Sequence, residues 1–215
     1  MPQIPSTIIS HIESTYAPDV IILHGSRARG TAAANSDWDF FLVSKVKTPD
    51  TTELIDGQKV DVDVFSGPLD ERLVSEWCHI LRPGNVVVIK DSADGIGRQF
   101  VEKAERRYAE GRKLSNLEKN NRKTRMLGYL RKIKRADDEG VFFLYLGFYY
   151  EMAIKFWFEL LHNAYQPPIY EALSHLRTED RPYAEFLAIL SGEYPRAEKV
   201  RACEKICDRL AIITS

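Results

Sequence analysis

The sequence DVIILHGSRARGTAAANSDWDFFLV, residues 19–43, decides the fold of the first half of this 215-residue chain. It opens with the β-branched apolar run 20–23, which predicts a strand buried on both faces. Gly25 and Ser26 then leave this strand and enter a loop of small residues. Residues 37–43 predict a second strand, because aromatic and aliphatic residues follow one another there. The segment therefore predicts a strand, a glycine-containing loop and another strand in immediate succession.

The polar residues of this segment indicate chemistry at a phosphate. Alternate residues of a strand project to the same side, so Asp37 and Asp39 share one face. Two adjacent carboxylates disfavour each other's ionisation, and a divalent cation such as Mg²⁺ relieves this repulsion. Gly25 and Ser26 are candidate phosphate ligands, because glycine lets the backbone approach closely and successive N–H groups form an anion cradle. Arg27 is a further candidate ligand of the phosphates.

A third carboxylate is expected from the sequence KVDVDVF, residues 59–65. These residues alternate with period two and predict another strand, with Asp61 and Asp63 on one face. A third acid would complete a two-metal site, either as a metal ligand or as the group that orients or deprotonates an attacking hydroxyl. The residues alone leave both aspartates as candidates.

These motifs resemble the nucleotidyltransferase superfamily typified by DNA polymerase β. The resemblance rests on GSRARG at residues 25–30, on the ten residues between Ser26 and Asp37, and on the Asp-Trp-Asp strand. It implies that the Gly-Ser loop holds the phosphates of a nucleotide and that Asp37 and Asp39 bind Mg²⁺. The family's third acid follows a basic and an apolar residue. Asp61 matches this arrangement best, and Asp63 stays in reserve.

The domain organisation follows from a change of pattern near residue 110. Strand patterns end there, and helical periodicity continues to residue 212. We expect an α+β fold, with a mixed-sheet nucleotidyltransferase domain over residues 1–110 and an all-α helical bundle domain over 111–215. Residues 111–135 contain ten basic residues and a single acid. Such a run is usually a solvated helix face, and no aromatic stacking platform is interleaved with it, so nucleic acid is not expected as a partner.

The second half resembles the helical domain of antibiotic-modifying members, such as the kanamycin nucleotidyltransferase group. The resemblance rests on residues 165–168, YQPP, in a segment between two helices. It makes Glu151 the candidate for a general base that acts opposite the metals. Glu151 also stands at i, i+4 and i+8 spacing with Lys155 and Glu159, which favours a salt-linked helix stripe instead. These charges argue against a membrane span over residues 141–161.

We therefore expect a cytoplasmic enzyme that uses Mg²⁺ to move AMP from ATP to a hydroxyl of a small molecule, such as an aminoglycoside-like compound, held between the two domains. One alternative acceptor is a tyrosine of a partner protein, as in antitoxin-type relatives, although those usually lack so large a helical extension. Another alternative is a non-catalytic module that binds nucleotides or nucleic acid. Three cysteines without a CxxC pair fit a reducing compartment. The oligomeric state stays open, a homodimer included.

Overall fold

The computed structural model describes residues 3–161, 164–167, 169–178 and 183–213. Two compact units divide the chain, a mixed unit (Met1–Ala109) and a helical unit (Glu110–Ser215). Strands and helices occur together in the mixed unit, whereas the described residues of the helical unit form helices. The α+β class that the sequence predicts is thereby confirmed.

The mixed part of the chain is built around a five-stranded sheet. Its elements in chain order are α1 (Ser6–Tyr16), β1 (Val20–His24), α2 (Gly25–Arg29), β2 (Trp38–Val43), β3 (Thr51–Ile55), β4 (Gln58–Phe65), α3 (Glu71–Trp77), β5 (Val86–Lys90) and α4 (Ile96–Glu110). The strand order is β3-β4-β2-β1-β5. The central strands β2 and β4 are parallel, and the other neighbours are antiparallel.

Both faces of the sheet bury apolar side chains, Phe41 among them, but only one, called the acidic face, also carries the aspartates; the other is called the apolar face. Successive side chains of a strand point to opposite faces, so Trp38, Phe40 and Leu42 of β2 share the apolar face. They form a core with α1, which contributes Ile8 and Ile12. Full burial of such a side chain stabilises the fold by about 2 kcal/mol. The apolar residues of β2 therefore fix its register, and this register places the alternate residues on the opposite face.

Two local features differ from the sequence-based prediction. The expected loop after β1 begins instead with the short helix α2, which Gly25 enters with φ +76° and which ends at Gly30 with φ +73°. β3 is an additional strand, joined to β4 by Asp56 and Gly57 with φ +49° and +74°. A two-residue turn with positive φ at both positions matches the twist of paired strands. β3 therefore covers the outer edge of β4.

The described residues of the helical unit form the helices α5 (Asn116–Arg135), α6 (Glu139–Leu161), α7 (Ile169–Thr178), α8 (Tyr183–Leu190) and α9 (Arg196–Ile213). Ser115 and Glu118 form a capping box at the start of α5. The core between the helices is rich in aromatic residues, among them Tyr149, Phe156 and Phe186. Pro168, the last residue of the predicted YQPP segment, lies outside the described residues. No helix in the described ranges has the length and apolar character needed to cross a bilayer.

Candidate active site

The three carboxylates predicted from the sequence lie on the acidic face of the sheet. Asp39 of β2 is in register with Asp61 of the parallel strand β4. Asp37 precedes β2 and stands two residues before Asp39, which favours the same face. Asp63 also shares this face, further along β4, in register with Phe41. The sheet therefore brings together residues that lie more than twenty positions apart in sequence.

The ammonium group of Lys59 connects two of these carboxylates. Its Nζ lies 2.6 Å from Asp37 Oδ2 and 3.0 Å from Asp61 Oδ2. The other oxygen of Asp61 accepts a hydrogen bond of 2.6 Å from Thr52 Oγ1 on β3. Burial raises the pKa of Asp61, but the hydrogen bonds from Thr52 and Lys59 outweigh burial and leave this pKa below its ordinary value. Asp61 is therefore ionised at neutral pH.

The environment of Asp39 favours its ionised form less than the environment of Asp61 does. Its pKa is raised, first by burial and then by the negative charges of Asp61 and Asp37. Lys59 and Arg29 oppose this shift without cancelling it. Because its acidic neighbours disfavour the ionised form of Asp39, a further cation bound beside it would stabilise that form.

The backbone of Gly25 packs directly against the Asp39 carboxylate. A Cβ atom on Gly25 would collide with Asp39 Oδ2. The φ of +76° also lies in the left-handed region, so glycine is required at this position on both counts. Ser26 follows within α2 and is half-buried. The residues predicted to bind phosphate are thus adjacent to a residue predicted to bind metal.

The guanidinium group of Arg27 binds to the protein itself. Its Nη2 donates to the Ser36 carbonyl at 2.6 Å, and its Nε donates to the carbonyls of Ser36 and Asp37 at 3.1 and 3.2 Å. The same group lies 4.1 Å from the centre of the Trp38 ring. These contacts fix the backbone that enters β2, and with it Asp37. Phosphate binding by Arg27 stays a prediction, and the positioning of Asp37 is a function that the sequence did not indicate.

His24 is a buried polar residue on the same face. It is 9% exposed, and within the described residues its Nε2 has no hydrogen-bond partner. Asp63 Oδ2 lies 3.9 Å away. Burial lowers the pKa of His24 to about 4, so its imidazole is neutral. Burial, together with the charges of Asp50, Asp61 and Asp39, raises the pKa of Asp63 to about 6. Asp61, which shares a cation with Asp37, is the better placed of the two candidate third acids.

The donor set of the acidic face fits a hard divalent cation. Carboxylate oxygens are the ligands that Mg²⁺ prefers, and Asp37 and Asp61 already converge on one positive charge, that of Lys59. With the side chains as they stand, the described ranges contain no group of three His, Cys, Asp or Glu side chains arranged to hold a metal ion. For Asp37, Asp39 and Asp61 to hold Mg²⁺ together, the ammonium group of Lys59 would have to turn away.

Glu151, the candidate general base, lies on the exposed side of α6, as does Lys155. Glu159 departs from the predicted stripe, because its side chain is 1% exposed and binds two arginines. Arg122 Nη2 lies 2.7 Å from its Oε2, and Arg112 Nε lies 3.3 Å from its Oε1. Glu159 is thus a buried structural acid, and the catalytic function of Glu151 stays a prediction.

A match to one protein family supports the nucleotidyltransferase interpretation of the mixed unit. Residues 6–67 match the family described as polymerase beta, nucleotidyltransferase. This match places the N-terminal part of the chain in the nucleotidyltransferase superfamily, and it supports nucleotidyl transfer from a nucleoside triphosphate in general terms. A solved structure of a nucleotidyltransferase-like protein from Exiguobacterium sibiricum 255-15 aligns with 94% of this chain and 74% of its own, at 10% identity and a TM-score of 0.49. No curated protein matches the chain significantly.

Proposed function

We propose that the chain is a Mg²⁺-dependent enzyme that moves AMP from ATP to a hydroxyl of a small molecule, such as an aminoglycoside-like compound, and releases pyrophosphate. The observation that carries the proposal is the acidic face of the sheet. Asp39 and Asp61 are in register on parallel strands, and Gly25 packs its backbone against the Asp39 carboxylate. A phosphate next to Gly25 would thus lie close to the carboxylates.

Each residue of the site has a distinct task in this proposal. Asp37, Asp39 and Asp61 would hold Mg²⁺, which when bound neutralises phosphate charge and stabilises the attacking and leaving oxygens. Gly25 and Ser26 bind the phosphates through their backbone N–H groups. Arg27 holds the chain that carries Asp37, through its bonds to the Ser36 and Asp37 carbonyls.

The transfer forms one bond and breaks another. The oxygen of the acceptor hydroxyl forms a bond to the α-phosphorus of ATP, while the bond from this phosphorus to the oxygen bridging the β-phosphate breaks. The electron pair of the broken bond leaves with pyrophosphate. A carboxylate takes the hydroxyl proton, and the candidates are Asp61 in the mixed unit and Glu151 in the helical unit. A base of this kind must come within hydrogen-bond reach of the hydroxyl.

Pyrophosphate release tests the proposal. Each of the four nucleoside triphosphates is incubated together with a mixture of aminoglycosides as the acceptor, with and without Mg²⁺. The wild type is compared with the Asp39→Asn variant and with an exposed control, Asp19→Asn. We expect release from ATP that requires Mg²⁺, that Asp39→Asn abolishes and that Asp19→Asn retains. Thermal unfolding of the same mixtures is measured in parallel. Absence both of pyrophosphate release and of any thermal shift with every triphosphate would overturn the proposal.

The nature of the acceptor is tested with ATP labelled at the α-phosphate. Label in a small molecule, with aminoglycosides as the first compounds to try, supports the proposed acceptor class. Label in a protein band would instead support transfer to a protein hydroxyl, the antitoxin-type alternative.

A further inference from the structure

The α5 helix exposes a row of cations. Arg125, Arg131, Lys132 and Arg135 are all exposed. Among the residues that the structure describes, none of the four has an acidic ion-pair partner; the only hydrogen bond shown for them is from Arg131 Nε to the Leu127 carbonyl of the same helix, at 3.3 Å. Four uncompensated cations on one helix produce a local positive potential, although the whole chain has a formal net charge of −1.

Aromatic rings lie beside these cations, and two of the rings come from α6. The ring of Tyr129 lies 6.3 Å from that of Tyr145 and 5.8 Å from that of Phe148, centre to centre. Lys132 Nζ lies 5.3 and 5.1 Å from the ring centres of Tyr129 and Tyr145. Phe148 is 45% exposed, so its ring can accept a stacking partner. The sequence of α5 alone does not contain this combination.

A cavity of about 390 Å³ opens at the end of α5, between Arg131, Lys132 and Arg135 on one side and Tyr145 on the other. Asp137 and Asp138 also line it. Asp138 Oδ1 accepts a hydrogen bond of 2.8 Å from the Val141 amide and so caps the N-terminus of α6. Three cations therefore face two acids in this cavity. One of these acids, Asp138, already accepts a hydrogen bond from the first turn of α6.

We propose that this surface binds single-stranded nucleic acid. The surface, called the aromatic–basic face, consists of Arg125, Tyr129, Arg131, Lys132, Arg135, Tyr145 and Phe148. An unpaired base stacks on the exposed ring of Phe148, and the backbone phosphates contact the four cations, which is how single strands are bound without strong sequence preference. The proposal is independent of the proposed transferase activity, because none of these residues belongs to the acidic face of the sheet.

Charge favours a nucleic acid over a second copy of this chain as the occupant. In a two-fold symmetric contact the same surface meets itself. Such a contact through the aromatic–basic face would bring eight cations together. Among the residues that line the cavity, Asp137 and Asp138 are the acids that would compensate them. A polyanion compensates all four cations of one chain and releases counterions from its own phosphates.

Fluorescence anisotropy with labelled single-stranded 12-mers of DNA and RNA tests the proposal. Contact of four cations with phosphates predicts that affinity falls by about 50-fold between 50 and 200 mM salt, since single strands show a slope of about −0.7 per phosphate. The double variant Arg131→Glu/Arg135→Glu should lose about 10-fold or more of the affinity at 50 mM salt. The control Arg201→Glu/Lys205→Glu makes the same charge change on exposed residues of α9 and should retain binding.

A second pair of variants tests the rings. Phe148→Ala should weaken binding by roughly 5-fold or more, the effect of losing one stacked base. Phe143→Ala is the matched control, because Phe143 is 49% exposed on the same helix and lies about 140° around it from Phe148. Asp39→Asn should bind the strands as the wild type does, which separates this face from the transferase site.

The proposal is overturned if the wild type binds neither strand at 50 mM salt, or if each variant and its control behave alike. Light scattering of the wild type and Phe148→Ala adds a further outcome. A wild-type dimer that Phe148→Ala dissociates, without strand binding, would show that the face joins two copies instead.

Discussion

The two units of this chain treat carboxylate charge in opposite ways. In the mixed unit four aspartates share one face of the sheet, and Lys59 is the cation that bridges two of them. The pKa of Asp39 stays raised, by burial and by its acidic neighbours. In the helical unit the buried carboxylate of Glu159 meets Arg112 and Arg122. The mixed unit retains negative charge that a ligand can compensate, whereas the helical unit compensates its buried charge within the fold.

The largest effect that this comparison predicts is at the third carboxylate. Asp61→Asn should lower Mg²⁺-dependent pyrophosphate release by more than ~100-fold, since even outer-shell partners of a metal are worth 10–100-fold. Asp63→Asn should lower it by less than ~10-fold, because Asp63 shares no cation with Asp37. Rates of both variants are measured at saturating ATP and Mg²⁺. An equal or larger loss in Asp63→Asn would assign the third acid to Asp63 instead.

In the helical unit, removal of the buried carboxylate should cost stability. Glu159→Gln leaves Arg122 without its buried partner and should lower the free energy of unfolding by about 3 kcal/mol, the lower end for a broken buried pair, because both arginines keep some solvent contact. Glu151→Gln, on the exposed side of the same helix, should change it by less than ~0.5 kcal/mol. Urea unfolding measures both. Similar values for the two variants would contradict the assignment of Glu159 as a buried structural acid.

Substitutions of Arg27 distinguish a function in positioning Asp37 from a function in phosphate binding. If it fixes the backbone at Asp37, Arg27→Met should lower kcat by about 10-fold or more and leave the KM for ATP nearly unchanged. Arg27→Lys should recover little, because one ammonium cannot replace two donors and a planar group over Trp38. A rise in KM at constant kcat would show that Arg27 binds phosphate. Steady-state kinetics over a range of ATP concentrations distinguish these outcomes.

The smallest predicted effect is at the start of α5. Hydrogen bonds from the Ser115 backbone and hydroxyl lower the pKa of Glu118 below its ordinary value of 4.5. A carboxyl group whose pKa falls on folding stabilises the protein above its unfolded pKa, and this contribution is lost as the pH falls through the folded pKa. Glu118→Ala should therefore cost about 0.5 kcal/mol at pH 7, and the difference from wild type should shrink as the pH falls through the folded pKa, which lies below 4.5. Thermal unfolding between pH 3 and 7 measures it. A difference independent of pH would show that the carboxylate charge is not involved.

Much of the mixed unit is predictable from the sequence, because β-branched and aromatic runs indicate strands and the alternation of side chains along a strand assigns them to its two faces. Asp37, Asp39 and Asp61 come from this rule and from the motif, and the structure places them on one face. β3 was missed although Asp56-Gly57 is a strong hairpin signal. With β3, the hydrogen bond from Thr52 to Asp61 was missed too. The turn residues would have indicated both.

Other features required tertiary structure. The contacts of Arg27 with the Ser36 and Asp37 carbonyls depend on how α2 packs beside the entry to β2, and spacing along the chain does not encode this. The burial of Glu159 likewise depends on the packing of α6 against Arg112 and Arg122. The aromatic–basic face combines side chains of two helices, so a search for rings within the basic run alone does not find it.

The most direct test of the central claim is calorimetric titration of a non-hydrolysable ATP analogue into the wild type and Asp39→Asn, each with and without Mg²⁺. If the acidic face is a nucleotide and metal site, the wild type binds the analogue tightly only with Mg²⁺, and Asp39→Asn loses this dependence together with at least ~10-fold of the affinity. Binding that is equally strong in both proteins, or absent from both, would contradict the assignment of the site.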